Sequence, residues 1–203
     1  MLEKRLYLYN VVPEYCDYLR RYDRKVPYNA GNKEKRPFIG IVLKINNHNY
    51  YAPLTSPKEK HRKMKNSPDF HKINGGIWGA INFNNMIPIQ QDNLTLAEMD
   101  IKKNDTDEMI AYKNLMKNQW LWCNENIDVI TKKAEKLHAL VCDKEKRENP
   151  VIQRCCNYSL LEEKCLEYSQ KKKKPLNQAM KDAAERTEKK EKTNVIDHGH
   201  DGR

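Results

Sequence analysis

The sequence has no long hydrophobic run. None of its windows approaches the roughly 18 consecutive apolar residues that a membrane span needs, and no hydrophobic stretch near the N-terminus is typical of a signal peptide. The 203 residues are 33% charged and 38% hydrophobic. This composition predicts a cytoplasmic protein with one compact domain and an extension.

Cysteine pairs at metal-binding or redox spacing are also absent. The six cysteines are scattered, with no C-x-x-C pair, so in a reducing compartment we interpret them as small buried hydrophobic side chains. Among the histidines, His198 and His200 are the one close pair and would chelate a metal only weakly. We therefore expect no metal and no cofactor.

Signatures of nucleotide binding and of serine hydrolases are missing as well. Neither a Walker A motif nor G-x-G-x-x-G occurs, and no G-x-S-x-G elbow surrounds Ser56. What the chain has in excess is positive charge, with a formal net charge of +10. Such an excess favours polyanionic partners, with nucleic acid first and an anionic membrane surface second.

The first half of the chain has β-type patterns. A strand is expected over residues 5–9, and Pro13 suits the first turn of a helix. Apolar runs at 38–45 and 49–54 flank an Asn-rich turn and predict a β-hairpin. Alternation predicts a further strand within 78–89.

The second half is helical in character. Three-and-four spacing of apolar residues predicts a helix from Asp107 to about His138, with a bend or break at 124–126. A shorter helix is expected to begin at Ser159, whose capping-box partner would be Glu162. Residues 171–203 carry ten Lys or Arg against six acids, which predicts a basic extension that is disordered or a solvated helix.

One turn concentrates hydroxyls and cations. The stretch "YYAPLTSPKEKHRKMK" (50–65) has five Lys or Arg within eight positions. A phosphate could be bound there by Thr55, Ser56, backbone N–H groups and Lys58. If the hairpin forms, Arg36 lies beside Ser56, which joins this turn to a second basic loop. The alternative is an ordinary turn followed by solvated lysines.

Four motifs in this order carry a family resemblance: "KVPY", "RPFIGIVLKINNHNYYAPLTSPKEKH", "INFNNMIPI" and "CNYSLLEEK". Together they resemble the type III toxin–antitoxin endoribonucleases, the ToxN/AbiQ/CptN group, from about Tyr7 to Tyr168. The resemblance implies an α+β fold for residues 1–170: a single domain with a strongly curved, barrel-like antiparallel sheet, similar to MazF/Kid-type toxins, surrounded by helices.

The resemblance also implies a function. Family members are metal-independent ribonucleases that cut their antitoxin RNA precursor into repeats, and each repeat folds as a pseudoknot and inhibits the toxin. Freed toxin cuts cellular mRNA, arrests bacterial growth and aborts phage infection. The implied partners are therefore a small antitoxin RNA and cellular transcripts, in a higher-order toxin–RNA assembly without a membrane.

Carried over residue by residue, the family signature falls on Thr55, Ser56 and Lys58, with a basic residue before the first hairpin strand at Arg36 or Lys35 and a histidine at His61. These are the candidate catalytic residues. The candidate RNA-binding residues lie in the two basic loops: Lys25, Tyr28, Lys33, Lys60, Arg62, Lys63 and Lys65.

A mechanism follows from the residue types. The ribose 2′-OH attacks its own phosphate and leaves a 2′,3′-cyclic phosphate and a 5′-OH, while cations and hydroxyls stabilise the developing charge. Serine is a poor base, so the proton carrier is Lys58 or His61. The rival hypotheses are a non-catalytic basic RNA-binding module and a protein-interaction domain with a lysine-rich tail.

Overall fold

The computed structural model describes residues 5–28 and 36–172. Within them the strands are β1 (Tyr7–Val11), β2 (Phe38–Ile45), β3 (His48–Thr55), β4 (Phe70–Lys72), β5 (Ala80–Asn82), β6 (Ile87–Pro88) and β7 (Leu94–Leu96). The helices are α1 (Pro13–Arg20), α2 (Glu59–Lys63), α3 (Asp107–Glu125), α4 (Ile127–Cys142), α5 (Pro150–Arg154) and α6 (158–172). The chain divides into two units between Cys165 and Leu166, and the sheet belongs wholly to the first.

The strands form one antiparallel sheet. Their order is β4-β5-β3-β2-β1-β7, with β6 paired to β3. Through the described residues this path ends in two edge strands, β4 and β7, so the sheet is open there. The prediction of an α+β fold with an antiparallel sheet is confirmed.

The predicted hairpin forms, and its turn explains its register. Asn46 and Asn47 take φ values of 48° and 62°, which asparagine tolerates better than most residues and which a two-residue hairpin turn requires. At the open end of the hairpin, the Leu54 backbone N–H donates to the Pro37 carbonyl at 2.8 Å. The residue before β2 therefore lies beside the end of β3, as predicted.

Aromatic side chains fill much of the core. Two buried tyrosines satisfy their hydroxyls on backbone carbonyls: Tyr15 donates to Pro88 at 2.6 Å and Tyr158 to Phe83 at 2.7 Å. Each such ring removes on the order of 150–250 Å² from water while its polar end stays paired. The largest fully buried side chains include Tyr15, Tyr50, Tyr51, Tyr158, Phe38 and Phe83. Five of the six cysteines are also buried and all six are free thiols, which confirms their interpretation as small hydrophobic side chains.

The long helical stretch breaks where the sequence predicted. Asn126 leaves the helical conformation with φ −113° and ψ 23°, and its side-chain amide donates to the Trp122 carbonyl at 2.8 Å. The Asn126 backbone N–H donates to the same carbonyl at 3.1 Å, so backbone and side chain together cap the end of α3 before α4 begins at Ile127.

Three sequence predictions were wrong in detail. The expected strand within 78–89 is interrupted by a 3-10 turn over Phe83–Asn85. The capping side chain of α6 is Asn157, which accepts from the Leu160 N–H at 3.2 Å; Ser159 lies inside the helix. The basic segment after Lys58, expected as loop, contains the short helix α2.

The predicted basic extension, 171–203, lies outside the described residues from position 173 onward. Within residues 5–28 and 36–172, none of the helices combines the length and the apolar composition that crossing a membrane requires.

Candidate active site

A groove of about 520 Å³ opens at the end of β3. We call it the basic groove, because five cations line it: Arg36, Lys58, Lys60, Lys65 and Arg154. Its other polar lining residues are Thr55, His61, Ser67, Asp69, Asn82, Asn84 and Asn85. Asp69 is the one acid among the described lining residues, so the groove suits an anionic ligand.

The turn at Thr55 and Ser56 is held from behind. The Gln119 amide donates to the Trp78 carbonyl at 2.7 Å and to the Thr55 carbonyl at 3.4 Å. Gly79, at φ +92°, approaches so closely that an added Cβ would lie 1.9 Å from the Thr55 carbonyl oxygen. Only glycine permits this contact. With the backbone fixed, Ser56 and Lys58 remain exposed.

The Thr55 hydroxyl donates to the Ser56 carbonyl at 3.2 Å. This bond leaves the hydroxyl oxygen able to accept a further hydrogen bond. The turn therefore presents both donor and acceptor groups beside the Lys58 ammonium.

His61 is packed under the turn. It is 3% exposed, and its ring lies 5.7 Å from the ring of Phe70. Burial, then the positive charges of Lys58 and Lys60, lower the pKa of His61, and a hydrogen bond to the backbone of Ser56 only partly offsets them. The imidazole is therefore neutral at neutral pH, and its buried Nδ1 has no hydrogen-bond partner among the described residues.

Arg36 lies two residues before β2 and lines the same groove. It is half-buried, and burial is the main influence on its pKa, which it lowers; Cys16 and Tyr112 act in the opposite direction. Because arginine titrates so far above neutral pH, the guanidinium stays charged. The alternative basic residue, Lys35, lies outside the described residues.

Asp69 and Arg154 form an ion pair in the groove wall. Arg154 Nε donates to Asp69 Oδ2 and Nη2 to Asp69 Oδ1, both at 3.0 Å. The Ser67 hydroxyl donates to Asp69 Oδ1 at 2.8 Å. Burial acts to raise the pKa of Asp69, but the hydrogen bonds from Arg154 and Ser67 outweigh it and hold the pKa below its usual range. Asp69 is thus an ionised, fully engaged carboxylate.

The predicted RNA-binding residues are divided by the structure. Lys60 and Lys65 line the basic groove, whereas Arg62 and Lys63 are exposed and do not line it. Lys63 pairs instead with Glu59 at 3.5 Å.

The earlier basic loop is only partly described. The Lys25 ammonium donates to the Cys155 carbonyl at 2.9 Å, so it ties two segments together. Tyr28 is 50% exposed, with the Arg20 guanidinium 5.5 Å from its ring centre. Lys33 lies outside the described residues.

Sequence reasoning missed the polar residues that line the groove outside the turn. Asn84 and Asn85 lie in the 3-10 turn that interrupts the expected strand, and Asp69 and Arg154 carry no recognisable motif. The one usable signal was the density of asparagine within the otherwise apolar stretch "INFNNMIPI". In the described residues, no three His, Cys, Asp or Glu side chains lie where they could hold a metal ion.

The fold and the groove together define the class: an α+β protein whose open antiparallel sheet presents a cationic, hydroxyl-bearing groove suited to binding phosphate. The family model described as "Toxin ToxN, type III toxin-antitoxin system" matches residues 7–166. The chain belongs to this ToxN family.

Curated relatives cover most of the chain. Endoribonuclease ToxN of Bacillus thuringiensis subsp. kurstaki is 35% identical over 170 residues, which is 80% of this chain and 84% of the relative. Endoribonuclease ToxN of Pectobacterium atrosepticum is also 35% identical, over 77% of this chain and 90% of the relative.

Solved structures agree with the fold. AbiQ, a lactococcal anti-phage endoribonuclease of a type III system, superimposes with a TM-score of 0.70 at 28% identity, over 82% of this chain and 99% of that one. A toxin solved in a study of selective inhibition by a non-coding RNA pseudoknot gives a TM-score of 0.68 at 33% identity, over 82% and 99%.

Proposed function

We propose that this member of the endoribonuclease toxin family cuts RNA in the basic groove without a metal ion. The ribose 2′-OH attacks the adjacent phosphate, the bond to the 5′-oxygen of the next nucleotide breaks, and the products are a 2′,3′-cyclic phosphate and a 5′-OH. One observation carries the proposal: Arg36, Thr55 and Lys58 line the same groove, although Arg36 is distant in sequence from the other two, and the exposed Ser56 lies between Thr55 and Lys58 in the turn.

Charge stabilisation is assigned to the groove cations. As the pentacoordinate phosphate gains negative charge, Lys58 and Arg36, with Lys35 as the alternative to Arg36, offset that charge. Thr55 and Ser56 orient a phosphate oxygen or the 2′-OH. The loss of one such donor typically lowers a rate by roughly 100- to 1000-fold.

Proton transfer is assigned first to Lys58. Its side chain is exposed in the groove, whereas His61 is only 3% exposed. His61 remains the second candidate, because a neutral imidazole can accept a proton if the turn opens when RNA binds.

The relatives indicate the partners. One solved neighbour is a toxin inhibited by a non-coding RNA pseudoknot and another belongs to an antiviral system regulated by a processed non-coding RNA. We therefore propose an inhibitory pseudoknot RNA, processed by the toxin itself, and cellular mRNA as the substrate, in the bacterial cytoplasm.

Other parts of this proposal follow the family resemblance. The RNA-bound form is a higher-order toxin–RNA assembly, and release of the toxin arrests growth and aborts phage infection. The residues that bind the RNA are Lys25, Tyr28, Lys33, Lys60, Arg62, Lys63 and Lys65. The sheet has the curved, barrel-like form of MazF/Kid toxins, and residues 1–170 form the catalytic domain.

End mapping in EDTA tests this function against a non-catalytic RNA-binding module. Purified wild type should cut RNA in EDTA and leave cyclic phosphate ends. Ser56→Ala should lose that activity, while Thr95→Ala, which removes an exposed hydroxyl on β7, should retain it. RNA that is bound but left intact by the wild type would favour the binding module.

A further inference from the structure

The arginine in the groove wall is held in a fixed orientation. A guanidinium has five N–H donors in one plane. Arg154 uses Nε and Nη2 on Asp69 at 3.0 Å each, and Nη1 on the Pro150 carbonyl at 3.1 Å. Three donors are therefore engaged, and one N–H on each of Nη1 and Nη2 has no partner among the described residues.

The anchor that holds this arginine is itself fixed. Asp69 accepts from the Ser67 hydroxyl at 2.8 Å, and its backbone carbonyl accepts from the Asn84 N–H at 3.1 Å. A carboxylate with this many bonds does not follow the arginine if a ligand pulls on it. The guanidinium is consequently preorganised, unlike the exposed lysines of the same groove.

Of the ion pair, Asp69 is the buried member and Arg154 the exposed one. The Asp69 side chain is 6% exposed, whereas that of Arg154 is 52% exposed, and both residues line the basic groove. An anion that enters the groove therefore meets the guanidinium before the carboxylate. With one free N–H on each of Nη1 and Nη2, the guanidinium can donate to two oxygens of one phosphate.

We infer that Arg154, oriented by Asp69, is a phosphate clamp that binds a backbone phosphate of the RNA next to the scissile one. This inference rests on the proposed function. The clamp and the turn belong to different elements that line the same groove: Thr55 ends β3 and Lys58 follows it, whereas Arg154 ends α5. Two phosphates bound by separate elements would fix the direction of the strand and its register on the turn.

A clamp on a flanking phosphate stabilises the bound substrate and the transition state by the same amount, because that phosphate does not react. Its loss should therefore raise KM much more than it lowers kcat. Arg154→Gln removes the charged hydrogen bond between the guanidinium and the phosphate. The loss of such a bond corresponds to about a 10-fold or greater rise in KM. Arg154→Lys keeps the charge but lacks a fork, so it should show an intermediate rise.

Salt dependence separates a phosphate contact from a purely structural ion pair. The probe is an RNA oligonucleotide that the wild type cuts, made uncleavable by a 2′-deoxy sugar at the cut nucleotide. Loss of one phosphate contact should reduce the slope of log K against log salt by about 0.7. Arg154→Gln should show this reduction, whereas Arg147→Gln, which removes an exposed charge outside the groove, should not.

The outcomes are distinct. If Arg154→Gln only lowers the melting temperature, with KM and salt slope unchanged below that temperature, the pair is structural and the clamp is refuted. If Arg147→Gln matches Arg154→Gln, the effect is general charge and the clamp is equally refuted. A wild type that cuts no RNA would instead refute the proposed function.

Discussion

Gly79→Ala tests how firmly the backbone positions the reactive turn. The new Cβ would lie 1.9 Å from the Thr55 carbonyl oxygen, and ordinary contact begins at 3.4 Å, so about 1.5 Å of movement is needed (3.4 minus 1.9). Gly79 cannot easily retreat, because its carbonyl accepts from the Ile73 N–H at 2.9 Å and the neighbouring Trp78 carbonyl is held by Gln119. The turn must therefore move.

The expected effect on cleavage is large. A misplacement of about 1 Å at a reacting centre lowers rates by about 100-fold, so single-turnover cleavage by Gly79→Ala should fall by about 100-fold or more. The assay compares that rate with thermal unfolding measured on the same preparation. The alanine also takes a positive φ, which lowers stability by roughly 1 kcal/mol.

Gly75→Ala is the matched control. Gly75 also has a positive φ of +64°, but nothing lies within 4 Å of its added Cβ. It should lose only the roughly 1 kcal/mol that the positive φ costs, without the further cost of the clash, and it should keep its cleavage rate. Wild-type cleavage by Gly79→Ala, or equal loss of cleavage in both variants, would refute the reasoning that this contact positions the turn.

Three further predictions concern the site and the stability of the fold. Lys58→Ala should cut roughly 100- to 1000-fold more slowly while its stability stays within about 0.5 kcal/mol of wild type; an unchanged rate would remove Lys58 from the mechanism. Burial and the charge of Lys133 lower the pKa of His71 to about 4. The unfolded chain therefore binds a proton that the folded chain resists, and the urea midpoint should fall as pH drops from about 6.5 toward 4. His71→Gln should make this fall less steep, and an equally steep fall in the variant would contradict the assignment to His71. Removing residues 171–203 should leave cooperative unfolding intact, and its loss would show that the extension is structural.

Local signals in the sequence predicted the turn at Thr55–Lys58 and its place at the open end of the hairpin. The paired asparagines at 46 and 47 accept the positive φ of a tight hairpin, so the register of β2 and β3 followed from residues close in the chain. That register was enough to place Arg36 beside the end of β3. The break at Asn126 was predictable for the same reason, since its side chain caps the helix it ends.

The part of the groove outside the turn depends on contacts between residues that are distant in the sequence. Asn84 leaves the strand conformation because its N–H donates to the Asp69 carbonyl and its carbonyl accepts from the Cys156 N–H at 2.8 Å. Asn157 caps α6 in place of Ser159 because its own N–H donates to Asp23 at 2.7 Å, which holds it outside the helix. Local propensity carries no information about such bonds.

The 2′-OH of the RNA provides the most direct test of the central claim. The substrate is an oligonucleotide that the wild type cuts in EDTA, compared with the same oligonucleotide carrying one 2′-deoxy sugar on the 5′ side of the cut. The account predicts that the deoxy bond stays intact while binding affinity is unchanged. Cleavage at the deoxy bond would contradict it, because the nucleophile would then be a water molecule or a protein group.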